Sequence, residues 1–179
     1  TTEEIAIEKK EVALNSKLYF LQDFDVEKTV NANYKRRISL VKESDSLSRE
    51  EGMRLSEIGQ KIIDTIYKKG FLEVVSQQKL SNKNEIVAVR KGNEVADVIF
   101  KNLLTSKEVL KLIRNNLEQE AAYYGKIRML NLLSEIIKPN ISFDAVYSKK
   151  VVENQLKNIS YTKGKVTSGK LIILKGDIV

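Results

Sequence analysis

A chain of 179 residues is long enough to bury a core of its own, and 42% hydrophobic with 31% charged residues is the composition of a globular domain. Lys and Arg outnumber Asp and Glu by 31 to 24, a formal net charge of +7, which favours anionic partners although no block of five or six like charges forms a binding tail. His, Cys and Trp are absent, so these residues cannot supply a Ser-His-Asp triad, a thiolate nucleophile, a zinc site of the usual N/S ligands or an HD-type metal centre.

In chain order, Thr1 to Ser16 reads as a short helix, with Thr1 and Glu4 as a T-x-x-E capping box and Ile5, Val12 and Ala13 on one side. Both chain ends are expected to be cut from a longer protein, because the sequence opens without Met or a signal peptide and stops in an apolar run at Ile178-Val179. Leu18-Tyr19-Phe20-Leu21 is too apolar for a loop and predicts a short buried strand. From Asp25, the expected N-cap, Val26, Val30, Tyr34, Ile38 and Val41 recur at helical spacing. Ser48 and Glu51 form a second capping box, opening a helix with Met53, Leu55, Ile58, Ile62, Ile63, Ile66 and Tyr67 inward; Lys68-Lys69-Gly70 should close it, since glycine tolerates the left-handed conformation and lysines suit the negative helix end.

After Gly70 the period changes. Phe71 to Val75 is β-prone, and Ile86, Ala88, Val95, Val98 and Ile99 flank a turn at Lys91-Gly92-Asn93, which predicts a hairpin. Thr105 and Glu108 form a third capping box for a helix with Val109, Leu112, Ile113 and Leu117 inward. That helix bends at Tyr123-Tyr124-Gly125 and continues through Ile127, Leu130, Leu133, Ile136 and Ile137 to Pro139. A further helix runs from Phe143 to Ile159 with Val146, Val151, Val152 and Leu156 on its apolar side. Glycine-punctuated strands close the chain, and Lys175-Gly176-Asp177 there echoes the turn at Lys91-Gly92-Asn93. The expected fold is α+β, helix-rich, with a small mostly antiparallel sheet from the 84–100 region and the C-terminal strands. Residues 1–70 form a helical arm containing an N-terminal helical pair, and residues 71–179 form the α+β core.

Candidate chemistry is sparse. Lys35-Arg36-Arg37 beside Tyr34 is the strongest basic spot and the speculative ligand-binding site, for phosphate, an anionic polymer or lipid head groups; its plainer reading is the wet face of a helix. Asp23, Asp25 and Glu27 alternate like ligands for a hard cation, but they lack the glycine and distal Glu of an EF-hand and read as acids complementing a helix N-terminus. Tyr123-Tyr124 offers flat area for stacking, or one core and one rim tyrosine. No Walker A or G-x-G-x-x-G pattern occurs, and no cofactor is expected.

The most specific strings lie in the last third. They are Lys138-Pro139-Asn140-Ile141-Ser142-Phe143-Asp144, then Gly164-Lys165-Val166, then Gly169-Lys170-Leu171-Ile172-Ile173-Leu174-Lys175-Gly176-Asp177-Ile178-Val179. Together with Thr2-Glu3-Glu4-Ile5 and Tyr19-Phe20 near the start, they resemble the extracytoplasmic domain of bacterial seven-transmembrane HD-domain receptors. In those proteins a PN-x-x-x-D helix start precedes G-x-V-x-x-G-x-x-I-I-x-x-G-D-x-V. The resemblance gives Pro139, Asn140, Asp144, Gly164, Gly169, Gly176 and Asp177 structural roles. It implies a non-catalytic sensory or interaction domain on the extracytoplasmic face of the bacterial inner membrane, periplasmic or extracellular. This domain would be tethered through membrane helices to a cytoplasmic HD phosphohydrolase acting on cyclic di-AMP. The implied partner is an unidentified small molecule, peptide or envelope component, with a homodimer compatible and nucleic acid not the expected partner. The rival readings are a basic nucleic-acid or anionic-polymer binding module and a hydrolase built on a carboxylate pair.

Overall fold

The computed structural model describes residues 2–42, 48–73, 85–120 and 123–159. It is a helix-rich α+β protein, as expected, with six helices and a four-stranded mixed sheet among the described residues. Its contacts divide into two units, residues 17–145 and residues 1–16 with 146–179. This division does not coincide with the expected boundary at residue 70.

In the larger unit, α2 (Phe24–Lys42), α3 (Arg49–Lys69), α4 (Ser106–Glu120) and α5 (Tyr123–Ile136) share one core built from Val30, Tyr34, Ile62, Ile66, Ile113, Met129 and Leu133, among others. The second and third helices both contribute to that core. Their apolar stripes at three- to four-residue spacing bury against α4 and α5, as amphipathic helices require. Local signals fix the helix ends. Ser48 Oγ accepts from the Glu51 N–H while the Glu51 carboxylate accepts from the Ser48 N–H, and these bonds hold the Glu51 carboxyl below its ordinary range. Gly70, at φ +91°, closes α3, and the Thr105–Glu108 box opens α4. At α2 the cap is Asp23 rather than the expected Asp25, since Asp23 Oδ1 accepts from the Asp25 N–H and the helix begins at Phe24. Two expected inward residues point outward, Met53 at 54% exposed and Ile127 at 43%; on α5 the buried phase passes through Met129, Leu132, Leu133 and Ile136 instead.

The sheet has the order β3-β2-β1-β4, where β1 is Tyr19–Gln22, β2 Ile86–Lys91, β3 Glu94–Ile99 and β4 Ile141–Phe143. The β2–β3 hairpin turns at Gly92-Asn93, with Gly92 at φ +60°, as the sequence predicts. The pairing of β1 with β2 is parallel, whereas β1 with β4 and β2 with β3 are antiparallel. The strand β4 ends at Phe143, where the sequence suggested the start of a helix, and α6 begins at Ala145. The expected C-terminal strands, with Gly164, Gly169, Gly176 and Asp177, fall outside the described residues. Register places Phe20, Val87, Val89, Val98, Ile141 and Phe143 on one face, where they form a second core with Leu72, Phe100 and Leu103. Phe20 packs tilted against Phe100 and edge-on against Phe143, at centroid distances of 5.9 and 5.7 Å.

In the smaller unit, α1 (Thr2–Asn15) and the continuation of α6 (Ala145–Lys157) are described. The Ser16 hydroxyl donates to Gln155 Oε1 at 2.9 Å. Val146 of α6, expected on its apolar side, is 81% exposed.

Two buried phenols give the fold an alkaline limit. Burial pushes both Tyr34 and Tyr67 up to about 12. A phenol with a raised folded-state pKa contributes stability that is complete below its unfolded value, near 10, and is lost as pH rises toward the folded value. Spectrophotometric titration is thus expected to show two of the seven tyrosines ionising last, together with loss of helical circular dichroism. If all seven ionise together near pH 10 with the fold retained, these two side chains are not buried as described.

Candidate functional site

The residues of the Pro139-Asn140 string meet where the two cores join. Asn140 Oδ1 accepts from the Phe71 N–H at 2.9 Å, its own N–H donates to the Phe71 carbonyl at 3.0 Å, and its carbonyl accepts from the Asp23 N–H at 2.8 Å. One residue therefore ties the exit of α3 to the entry of α2 and the start of β4. Before it, the Tyr67 hydroxyl donates to the Lys138 carbonyl and accepts from the Lys138 N–H, so both polar backbone groups ahead of Pro139 are engaged. Beyond β4, the Asp144 N–H donates to the Tyr19 carbonyl, and Asp144 Oδ2 pairs with Arg90 Nη2 at 2.8 Å. Because β1 lies between β2 and β4, that ion pair bridges over it, on the sheet face opposite the apolar core. Asn140 and Asp144 are thus fixed into the scaffold, a setting for structural residues rather than ligand-facing ones.

The basic triplet is dispersed. Successive helical residues turn by about 100°, so three neighbours cannot share one face. Lys35 lines a hollow with Phe24, Glu27, Asn31 and Gln60, while Arg36 and Arg37 line another with Asp23, Asp25, Glu135 and Lys138. Arg37 is ion-paired with Glu135, and Arg36 donates to Asn33 Oδ1 at 3.3 Å. The alternating acids divide as well, with Asp23 and Asp25 remaining together in the Arg36 hollow. Asp25 binds Lys28 at 2.9 Å and, through that hydrogen bond, raises the Lys28 ammonium above its ordinary value, while Glu27 belongs to the Lys35 hollow. Among the described residues no group of three or more His, Cys, Asp or Glu side chains assembles to hold a metal ion, and no helix is long and apolar enough to cross a membrane. Tyr123 and Tyr124 open α5, but their side chains lie outside the described residues.

The larger concentration of charge lies elsewhere. A cleft of about 780 Å³ is bounded by the end of α3, the apolar sheet face, the turn after β3 and one side of α4. Lys68, Lys69, Lys91, Lys101 and Lys111 line it with the single carboxylate Glu108. Among the described residues none of the five ammonium groups is ion-paired. Glu108 Oε2 already accepts from the Thr105 N–H and hydroxyl at 2.8 and 2.7 Å, which commits that carboxylate to the first turn of α4. Lys91 ends β2 on the core-facing side of the strand, since Val87, Val89 and Lys91 alternate onto one face. Gln22 ends the parallel neighbour β1 on the same face. It is 8% exposed and, of the buried polar residues Gln22, Asn140 and Ser148 among the described residues, the one that lines the cleft. Val89, Val98, Leu103, Leu104, Leu112 and Ile141 supply apolar wall. Lys68 and Lys69 also complement the negative end of α3, so their placement serves the helix as well.

None of these lysines was singled out by the sequence as a ligand group. Lys68-Lys69 and Lys91 were visible only as helix-end and turn residues, and Lys101 and Lys111 carried no signal. They come from four separate stretches, so spacing along the chain does not disclose them. What the arrangement offers chemically is positive charge and amide groups beside an aliphatic wall. No protein-family model, curated protein or solved structure matches the chain.

Proposed function

We propose that the chain is an extracytoplasmic sensory or interaction domain of a membrane-bound HD-type cyclic-dinucleotide phosphohydrolase, and that it binds a ligand without transforming it. The membrane-receptor part of this reading is supported by the resemblance carried by Pro139, Asn140 and Asp144 and by the glycine-rich C-terminal string. The observation that carries the binding part is the lysine-lined cleft, where among the described residues five lysines without an ion-pair partner share the lining with one committed carboxylate. A basic domain is compatible with an extracytoplasmic position, because the positive-inside bias acts on short loops while long domains translocate largely regardless of charge. Ligand occupancy would act at a distance only by binding two arrangements of the domain with different affinity and so shifting their populations.

The native reading frame is the first test. Its hydropathy is expected to show one apolar span ahead of these residues, then several spans and a domain rich in His and Asp after them. A frame bounded close to residues 1 and 179 overturns the receptor reading. In the intact protein, replacing Lys101 and Lys111 with glutamate is expected to change the rate of cyclic di-AMP hydrolysis severalfold. An unchanged rate would leave the domain a structural or dimerising role instead.

A further inference from the structure

The lysine cleft constrains the chemistry of what it binds more narrowly than charge alone. Lysine ammonium groups hold phosphate as compact, rotatable point charges, and among the described residues no arginine lines this cleft to supply the bidentate fork that grips carboxylate or phosphate. Five cations against one carboxylate among the described lining residues call for several negative charges on one ligand, since a monoanion would leave most of that positive charge unneutralised. Volume and wall composition add a second requirement. At about 780 Å³ the cleft falls in the range of sites for drug-sized organic molecules and is much larger than an inorganic anion needs. Its apolar wall gains free energy only when a ligand carries carbon surface to cover it. At the strand ends, Gln22 lies beside Lys91 on the face that borders the cleft, and its amide carries both a donor and an acceptor.

We infer that the cleft binds a small organic polyphosphate, two or more phosphate groups attached to an apolar or ring-shaped body, with the lysines holding the phosphates and the aliphatic wall holding the body. This rests on the reading of the cleft as the ligand site. Two sources share that chemistry, a soluble phosphorylated metabolite and the diphosphate head of an isoprenoid lipid.

Calorimetric titration of the 179-residue chain with inorganic triphosphate, adenosine diphosphate and geranyl diphosphate tests the inference. Saturable one-to-one binding is expected for at least one organic probe, at least tenfold tighter than for inorganic triphosphate. Replacing Lys101 or Lys111 with alanine is expected to weaken it by about tenfold each, the size of a lost charge-assisted hydrogen bond. Both lysines belong to exposed segments, so the variants should fold, which circular dichroism verifies. The paired substitution of Lys35 and Arg36, outside the cleft, is expected to leave affinity unchanged. Preference for adenosine diphosphate points to the soluble source and preference for geranyl diphosphate to the lipid-linked one; either supports the inference. If inorganic triphosphate binds as tightly as both organic probes, the inference fails while anion binding at the cleft stands. If none of the three binds, or if binding survives loss of Lys101 and Lys111, the inference also fails, and the receptor reading is decided separately by the reading frame and by the hydrolysis rate of the intact protein.

Discussion

Replacing Asn140 with alanine is expected to cost about 2–3 kcal/mol of folding stability, because the buried Phe71 N–H loses its only acceptor among the described residues and a buried amide leaves a gap. An orphaned buried donor costs its full desolvation penalty, unlike a surface hydrogen bond that water replaces. The two backbone bonds of Asn140, to Phe71 and Asp23, survive the substitution, so the effect belongs to the side chain. Two measurements check it. Denaturant unfolding gives the loss of stability, and hydrogen exchange at the Phe71 amide should accelerate more than exchange at the Leu72 amide, which is bonded to the Leu104 carbonyl. A variant within 0.5 kcal/mol of the parent, the ordinary range of neutral surface changes, would show that the side chain does not clamp this junction. Asn140 Nδ2 is buried without a partner among the described residues, so the amide is retained here at some cost for the sake of its oxygen.

Gly59 to alanine should be destabilising by about 2 kcal/mol even though alanine is the better helix former by about 1 kcal/mol. A Cβ at this position would lie 2.1 Å from the Tyr34 hydroxyl oxygen, 2.8 Å from Cζ of the same ring and 3.0 Å from Met129 Sδ. The ring has little freedom to retreat. Tyr34 is 2% exposed, and its hydroxyl donates to the Ser56 carbonyl at 2.7 Å, so yielding breaks that bond and disturbs the core shared by α2, α3 and α5. The steric term therefore outweighs propensity. A double-mutant cycle with Tyr34→Phe separates the two contributions, because removing the hydroxyl relieves the 2.1 Å contact and leaves the one to Cζ. Alanine at position 59 should cost less in the Tyr34→Phe background than in the parent. Equal costs in both backgrounds, or a gain in stability, would mean that the close approach of α2 to α3 at this point is not as described.

The two candidate binding regions differ in a way that bears on function. Lys35, Arg36 and Arg37 are adjacent in sequence yet divided between two hollows, and Arg37 is already paired with Glu135. The five cleft lysines come from four separate stretches of the chain yet line one cleft without an ion-pair partner among the described residues. Charges that a fold gathers without pairing repel each other in the empty state, and an anionic ligand relieves that repulsion.

What the amino-acid sequence determined by itself was local. The Ser48–Glu51 and Thr105–Glu108 boxes, the Gly70 stop, the hairpin turn at Gly92 and the short strand around Phe20 each depend on residues within a few positions of one another, where side-chain size, hydrogen-bonding groups and backbone freedom act directly. The three-residue strand Ile141–Phe143 escaped because so short an element has no periodicity of its own; it exists through pairing with β1 and through the Phe71–Asn140 bonds. Parallel pairing of β1 with β2 and convergence of Lys68, Lys69, Lys91, Lys101 and Lys111 on one cleft were decided only by the tertiary structure. These are encounters between segments tens of residues apart. Such encounters are fixed by the burial of complementary apolar faces, which places polar residues as a consequence and leaves no mark in their own sequence neighbourhood.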